Sequence, residues 1–357
     1  MLQKTLFAVF AAFIISFLLF PVVIRIFTRL NWFDAPGTRK IHSEFVPSMG
    51  GVSILAGAVL ALLITLPLQQ WIAFKYFFIS IVLIFLIGLR DDVLALTPRQ
   101  KLVSQFLPVF ILVFLDNLLL VSFYEMDDGQ LFPLSLSYFI SFLTVVIVSN
   151  AYNLIDGIDG LAGTIGILIL VFFGAWFQIA DQPYVSLIAL CFAGALGAFL
   201  VFNWEPSKIF MGDTGALTIG LIVSYLAIRF INHNASLPVM HPAKFGASVS
   251  TALCIVIIPV FDTLRVIILR LRKFQSPFHA DRNHIHHQFL SFGMAHSTAV
   301  YWIAGINLAF IGLAVAMKNQ PDVVLLPVIV VICLLINFVL KWRQKKSPDS
   351  LTHARTS

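Results

Sequence analysis

The chain alternates between long apolar runs and short polar connections. Runs of membrane-spanning length recur about eleven times. They cover residues 6–27, 50–69, 72–89, 102–120, 135–150, 161–180, 184–202, 214–231, 246–269, 298–317 and 323–341. The pattern predicts an all-α integral membrane protein, a polytopic bundle of about eleven transmembrane helices that forms one domain over residues 1–357.

Composition agrees with this pattern. Hydrophobic residues make up 59% of the chain and charged residues only 11%, which excludes an ordinary soluble domain. The three cysteines lie far apart in separate apolar runs, so they predict neither a disulfide nor a metal site. The net charge of +6 comes from basic residues that flank the spans, so we expect a lipid bilayer as partner and no nucleic acid.

The distribution of basic residues predicts the topology. With eleven spans, one set of connections holds eighteen Lys and Arg residues and the other set holds five. Because cytoplasmic loops carry the excess of Lys and Arg, the N-terminus is expected outside and the C-terminus in the cytoplasm. Residues 343–357 are then expected to form a disordered cytoplasmic tail.

Two acidic motifs fall on the predicted cytoplasmic side. Asp91 and Asp92 follow the third run, and adjacent carboxylates repel each other unless a cation lies nearby. Lys101, at the start of the next run, is a candidate for the same site. The alternative for the aspartates is a solvated helix-end turn, and for Lys101 an ordinary interfacial lysine.

The stretch 150–160 is the richest in polar side chains. Its Asn150, Asn153, Asp156 and Asp159 recur every three residues, which predicts four oxygen-bearing groups roughly along one side of a helix end. Such oxygens suit a hard cation such as Mg²⁺, and the glycines of the stretch allow close approach to phosphate. A tight turn is the alternative, because Asn, Asp and Gly are common turn residues.

Two more polar connections share this side. Asp213 begins the eighth apolar run, where a carboxylate can ligate a metal while the helix N-terminus faces phosphate. The alternative is that Asp213 or Thr214 simply caps the helix. The loop 276–287 carries Arg282, His284, His286 and His287, which suit an anionic ligand. For this loop, a pH-sensing or interfacial role stays open. Asp262 and Arg265, three residues apart, predict a structural ion pair.

Together these motifs indicate phosphoryl transfer, which needs a cation, cationic side chains and positioned carboxylates. A cation-coupled transporter is the non-enzyme alternative. Transporters place such groups near the bilayer midplane, often in repeated halves, whereas here the groups cluster at predicted cytoplasmic helix ends and the sequence shows no repeat.

The ordered motifs resemble the polyprenyl-phosphate N-acetylhexosamine-1-phosphate transferase family. The resemblance rests on five matches across nearly the whole chain: Asp34-x-Pro-x-x-Arg39-Lys40-x-His42 with Pro47-x-x-Gly-Gly, Gly88-x-x-Asp91-Asp92, the stretch 150–161, Asn203-x-x-Pro206-x-x-x-Phe210-Met-Gly-Asp213, and His284-Ile-His286-His287. The last motif and the number of spans look more like the undecaprenyl-phosphate N-acetylglucosamine-1-phosphate transferases than the muramoyl-pentapeptide enzyme. Ser207 stands where alanine is common in the family.

The resemblance implies a reaction at a cytoplasm-facing site in the bacterial inner membrane. Undecaprenyl phosphate would attack the β-phosphorus of a UDP-N-acetylhexosamine, giving undecaprenyl-diphosphate-sugar and UMP. Mg²⁺ is the implied cofactor, with Mn²⁺ as an alternative. N-acetylglucosamine is the expected sugar; phospho-N-acetylmuramoyl-pentapeptide transfer or another UDP-sugar specificity is the alternative. The sequence leaves open whether the protein forms a homodimer.

The resemblance also implies roles for individual residues. Asp213 and Asn153 match the metal site, and Asp91 and Asp92 the paired catalytic aspartates. By the same resemblance, Phe210 would stack on uracil, and the uridine pocket would contain Gly157, Ile158, Asp159 and Asn203. The diphosphate or the sugar would face Lys101, Arg282, His284, His286 and His287, of which Lys101 and His286 are counted as catalytic. The further substrate-binding residues are Asn150, Asp156, Arg39, Lys40 and His42.

Overall fold

A computed structural model describes residues 1–30, 46–121, 133–276 and 283–346. Over these residues the protein is entirely helical, without a strand. The helices are α1 (Leu2–Arg29), α2 (Gly50–Thr65), α3 (Leu68–Ala73), α4 (Lys75–Val93), α5 (Pro98–Ser104), α6 (Phe106–Phe110), α7 (Leu134–Leu154), α8 (Leu161–Ile179), α9 (Pro183–Asn203), α10 (Gly212–Ser236), α11 (Ser248–Ile255), α12 (Ile257–Arg272), α13 (Ile285–Ser291), α14 (His296–Ala316) and α15 (Asp322–Lys346). A π-helical turn, Ile111–Leu115, continues α6.

Seven of the described helices are long and apolar enough to cross a membrane, and an eighth span is present if α11 and α12 count as one. Those two helices are bent by 85° at Val256. The other three predicted spans fall on helices that are too short, too charged or broken. Helix α2 has only 16 residues. Helix α4 has 19 residues but carries Lys75, Arg90, Asp91 and Asp92, and the series from α5 to the π-helical turn is broken. The count of eleven therefore stays a prediction, whereas the all-helical membrane class is confirmed.

Helix α10 is the centre of the bundle. It is almost wholly buried, and α2, α4, α7 and α8 pack around it. Its side chains include many small residues, which let neighbouring helices approach closely. Helix α15, by contrast, is mostly exposed, as expected for a helix that faces lipid. The N-terminus of α10 lies against the start of α2 and the last turns of α4.

The predicted C-terminal tail begins inside a helix. Residues 343–346, the first four of that tail, form the last turn of α15. Residues 347–357 lie outside the described part of the chain, so the remainder of the predicted tail is not addressed by the structure.

Candidate active site

The N-terminus of α10 is capped by a side chain from α4. The carboxylate of Asp92 accepts hydrogen bonds from the backbone N–H groups of Asp213 (2.8 Å) and Thr214 (2.9 Å), and also from the Thr214 hydroxyl. The first N–H groups of a helix have no partner within the helix and carry partial positive charge, so a carboxylate is well placed there. The cap that the sequence suggested for Asp213 or Thr214 is therefore supplied by Asp92.

Glycine residues permit this convergence of helices. Gly212, directly before Asp213, has φ +72°, a left-handed conformation that favours glycine. A Cβ on Gly88 of α4 would lie 2.6 Å from the backbone oxygen of Asp213. A Cβ on Gly51 of α2 would lie 2.2 Å from the backbone nitrogen of Gly215. The Gly88-x-x-Asp91-Asp92 spacing therefore has a steric reason: α4 touches the start of α10 one turn before its two carboxylates.

Asp91 faces a different set of partners from Asp92. Its Oδ1 accepts the backbone N–H of Leu96 at 2.6 Å, and its Oδ2 lies 3.1 Å from the ammonium nitrogen of Lys101. The same Lys101 nitrogen lies 2.5 Å from Oδ1 of Asp213. Asn153, at the end of α7, donates to that Asp213 oxygen at 2.5 Å. Four residues from four separate helices thus form one polar cluster.

Burial shifts the proton affinities in this cluster. It raises the pKa of Asp91, although the Leu96 N–H partly opposes the shift, and Asp213 raises it further. Burial, followed by the charge of Asp213, raises the pKa of Asp92 to about 7. Burial alone lowers the pKa of Lys101, but Asp213 and Asp91 outweigh that effect and raise it. At neutral pH the carboxyl group of Asp92 is therefore partly protonated, whereas Lys101 keeps its positive charge.

The donor set of this cluster fits a hard divalent cation. Asp91, Asp213 and Asn153 offer carboxylate and amide oxygens, which is the chemistry of Mg²⁺ sites that are completed by water and substrate phosphate. Among the residues that the structure describes, no group of three or more His, Cys, Asp or Glu side chains is arranged to hold a metal ion.

The four polar side chains of the stretch 150–160 do not line one surface, so that part of the sequence interpretation is wrong. The helix α7 ends at Leu154, and Asp156 and Asp159 lie beyond it. Asn150 pairs instead with Gln105, donating to its Oε1 at 2.7 Å. Only Asn153 joins the cluster with Asp213. Asp156 is half-buried in the turn that follows the helix.

Asp159 and Asn203 connect the stretch to the 204–211 loop. Asn203 is buried; its Oδ1 accepts the backbone N–H of Gly160 at 2.8 Å, and its Nδ2 donates to the Ile209 carbonyl at 2.9 Å. Asp159, also buried, accepts the Ser207 N–H at 3.3 Å, and His296 Nδ1 lies 3.6 Å from its carboxylate. Both side chains therefore hold the stretch 150–160 against the 204–211 loop, and Ser207 contributes its backbone N–H group.

Residues 283–287, called the histidine loop below, pack against the same stretch. His286 is buried, and a Cβ on Gly157 would lie 2.2 Å from its Nε2. The ring of His286 stacks on that of His284 with centroids 5.7 Å apart, and His287 is half-buried beside it. Burial, together with His287, lowers the pKa of His286 to about 3, so this imidazole is neutral at physiological pH.

Other predicted site residues are placed as follows. The half-buried Phe210 donates its backbone N–H to the Pro47 carbonyl at 2.9 Å, next to the start of α10, and Ile158 is buried. Arg39, Lys40, His42 and Arg282 lie outside the described residues. The sequence interpretation missed Gln105 and His296, and it considered Thr214 only as a helix cap. The partners of all three residues are 45 or more positions away.

A groove of about 650 Å³ is lined by residues of α4, α5, α6 and the segment between α4 and α5. Its lining is mostly apolar, with Leu83, Leu86, Ile87, Leu96, Val103 and Leu107, and it also includes Arg90 and Arg99. Leu96 also donates its backbone N–H to Asp91, so a single turn of chain separates the groove from the polar cluster.

Comparisons with known proteins identify relatives of this chain. Residues 74–231 match the model of glycosyl transferase family 4. The chain is 30% identical over 344 residues to an undecaprenyl-phosphate alpha-N-acetylglucosaminyl 1-phosphate transferase from Yersinia pestis, covering 93% of this chain and 90% of that protein. It is 29% identical over 324 residues to a probable undecaprenyl-phosphate N-acetylglucosaminyl 1-phosphate transferase from Bacillus subtilis (strain 168), covering 89% and 87%.

A second group of relatives shares less of the chain. A phospho-N-acetylmuramoyl-pentapeptide-transferase from Wolbachia sp. subsp. Drosophila simulans (strain wRi) is 32% identical over 241 residues, covering 61% of this chain and 72% of that protein.

Proposed function

The chain belongs to glycosyl transferase family 4, and we propose that it transfers N-acetylglucosamine 1-phosphate from UDP-N-acetylglucosamine to undecaprenyl phosphate. The observation that carries this proposal is the sharing of Lys101 between the carboxylates of Asp91 and Asp213, inside a chain that matches such transferases over about nine-tenths of its length. The products are undecaprenyl-diphosphate-N-acetylglucosamine and UMP.

The reaction exchanges one phosphorus–oxygen bond for another. An oxygen of the lipid phosphate forms a bond to the β-phosphorus, and the bond from that phosphorus to the oxygen bridging the α-phosphate breaks. The electron pair stays with UMP. A phosphate monoester is largely ionised at neutral pH, so an obligatory general base is not required. The protein's task is to position the two substrates and to offset their charge.

We assign the charge compensation to the polar cluster. Asp91, Asp213 and Asn153 would hold Mg²⁺, with Mn²⁺ as an alternative ion, and such a cation would neutralise phosphate charge. Lys101 already bridges the two carboxylates and can turn its ammonium group to a substrate phosphate. Asp92 holds the N-terminus of α10, which keeps Asp213 in place.

The acceptor is assigned to the groove beside the cluster. The apolar lining suits a polyprenyl chain, and the lining residues Arg90 and Arg99 suit its phosphate. The volume of the groove falls within the range of ligand pockets, about 300–1,000 Å³. A lipid that enters from the bilayer between α4 and α5 would bring its phosphate towards Asp91.

The donor is assigned to the region between the stretch 150–160, the 204–211 loop and the histidine loop, which contact one another. Phe210 would stack on uracil, and Gly157, Ile158, Asp159 and Asn203 would form the uridine end of the pocket. His284, His286, His287 and Arg282 would face the diphosphate or the sugar. Further substrate-binding residues in this assignment are Arg39, Lys40 and His42, from the first predicted cytoplasmic motif.

We place this site on the cytoplasmic side of the bacterial inner membrane, where the excess of Lys and Arg in the predicted loops puts it. That orientation leaves the N-terminus outside and the C-terminus inside. A homodimer remains a proposal for the assembly.

One alternative has its own support. The Wolbachia relative favours phospho-N-acetylmuramoyl-pentapeptide transfer by the same chemistry. To choose between donors, purified protein is incubated with undecaprenyl phosphate, Mg²⁺ and one UDP-sugar at a time, and UMP is quantified. Our assignment predicts the highest kcat/KM for UDP-N-acetylglucosamine. A preference for the muramoyl-pentapeptide donor supports the alternative, and no UMP with any donor rejects both.

A further inference from the structure

Asp262 is a buried carboxylate that lies outside the polar cluster. It sits on α12, and only 1% of its surface is exposed. The sequence suggests no more than an ion pair with Arg265, and this pair is present, with 3.0 Å between Arg265 Nη2 and Asp262 Oδ1. Burying a carboxylate is costly unless several donors surround it. The identity of its other donors therefore indicates what this residue does.

Those donors belong to the histidine loop. His284 Nδ1 lies 2.8 Å from Oδ2 of Asp262, and the backbone N–H of Ile285 donates to Oδ1 at 2.9 Å. Arg265 also donates to the Asn283 carbonyl. Three consecutive residues of the loop, 283–285, are thus fixed on α12 by one aspartate and one arginine.

This attachment fixes the position of His286. The rings of His284 and His286 are stacked within 7° of parallel, so the ring held by Asp262 supports the next one. His286 in turn packs on Gly157, in the stretch that we assign to the donor. The contacts run without a gap from Asp262 through His284 to His286 and Gly157.

We propose that Asp262 is a positioning residue for the transfer reaction, holding the histidine loop so that His286 faces the donor. The proposal rests on the proposed function for its reaction, but its geometric part concerns the loop alone. Asp262 acts through His284 and Ile285 and does not itself contact the polar cluster.

The test compares Asp262→Asn with a matched control, Asp322→Asn. Asp322 is also buried and accepts backbone N–H groups, with the Ser250 N–H at 2.6 Å, but it lies near the opposite end of α10 from Asp213.

In Asp262→Asn, the asparagine keeps one acceptor for the Ile285 N–H but loses the negative charge and the second acceptor that His284 needs. We expect kcat/KM for UDP-N-acetylglucosamine to fall about tenfold or more in Asp262→Asn, as for supporting residues around active sites. The KM for undecaprenyl phosphate and the activity of Asp322→Asn should stay unchanged.

A double variant separates positioning from folding. If Asp262 acts through His286, the Asp262→Asn/His286→Gln protein loses no more activity than His286→Gln alone. Additive losses, together with a thermal unfolding midpoint lowered equally by Asp262→Asn and Asp322→Asn, would mean a structural role only and overturn the proposal.

A second readout does not depend on turnover. Amide hydrogen exchange of the segment 284–291 should become faster in Asp262→Asn and remain unchanged in Asp322→Asn, because the Ile285 N–H loses a charged acceptor. Unchanged exchange overturns the proposal. If the wild-type protein fails to release UMP with any donor, the proposed function fails, while the exchange experiment still decides whether Asp262 holds the loop.

Discussion

Asp92 accepts hydrogen bonds from both the backbone N–H and the hydroxyl group of Thr214, a residue 122 positions later in the chain. Its neighbour Asp91 faces Lys101 instead. Two adjacent carboxylates that look equivalent in sequence therefore have different partners. Asp92 maintains the start of α10, and Asp91 belongs to the set of groups that we assign to the reaction.

Removal of the α10 cap should lower both stability and activity. Asp92→Ala leaves the N–H groups of Asp213 and Thr214 without their acceptor, and loss of a helix cap costs about 0.5–2 kcal/mol. We expect a lower thermal unfolding midpoint and reduced UMP release, because Asp213 moves with the helix start. Asp322→Ala serves as control and should lose stability with its activity retained. An Asp92→Ala protein with wild-type stability would contradict the capping role.

Gly157 should not tolerate a side chain. Its Cβ would lie 2.2 Å from Nε2 of His286, so Gly157→Ala must displace the imidazole ring of His286. We expect a rise in the KM for the UDP-sugar of about tenfold or more. Gly312→Ala in α14 is the control, since a Cβ there meets no atom within 4 Å, and it should bind donor normally. Equal donor KM values for the two variants would remove His286 from the donor pocket.

His286 should make the protein less stable in acid. Burial, followed by the neighbouring His287, lowers its pKa from 6.5 to about 3, with His284, His296 and Asp262 also facing it. The unfolded chain takes up this proton below pH 6.5, whereas the folded protein stays neutral there. The free energy of unfolding should therefore be unaffected by this residue above pH 6.5 and should fall towards pH 3, by about 1.4 kcal/mol per pH unit.

The comparison is a series of denaturant titrations in detergent between pH 7 and pH 4. His286→Gln lacks the titrating group, so its stability should depend less steeply on pH than that of the wild type. Identical slopes for the two proteins would show that the imidazole is accessible to protons in the folded state.

Filling the apolar groove should impair the acceptor alone. Val103, 64% exposed on α5, lines the groove, and a tryptophan there occupies the space assigned to the polyprenyl chain. We expect Val103→Trp to raise the KM for undecaprenyl phosphate several-fold and to leave the KM for the UDP-sugar unchanged. Val323→Trp is the control on α15, where the valine is 66% exposed. If both variants keep the wild-type acceptor KM, the chain lies elsewhere.

The sequence predicted the helices well because apolar length is a local property. Each of the eleven apolar runs falls on helical chain among the described residues, but α2 is short and the run 102–120 is broken into α5, α6 and a π-helical turn. Hydrophobicity alone does not report such breaks. The seven to eight spans counted by length and composition therefore differ from the number of runs.

The sequence predicted which residues belong to the candidate site but not which of them contact each other. The motifs identified Asp91, Lys101, Asn153 and Asp213, and the structure brings all four together. The three-residue periodicity of the stretch 150–160 failed because α7 ends at Leu154, so Asn150 and Asp159 reach different neighbours. Asp262 was assigned to Arg265 because sequence spacing reveals i,i+3 partners and hides the contact with His284, 22 residues away.

The most direct test of the account measures UMP release and lipid product together, in the presence of UDP-N-acetylglucosamine, undecaprenyl phosphate and Mg²⁺. The wild-type protein should release one UMP for each undecaprenyl-diphosphate-N-acetylglucosamine formed. Chelation of the metal should stop both products, and Asp91→Asn and Asp213→Asn should lower both by about 100-fold or more while remaining folded. UMP release that does not require the lipid, or full turnover by either variant, would contradict the assignment of Asp91, Lys101 and Asp213 to phosphoryl transfer.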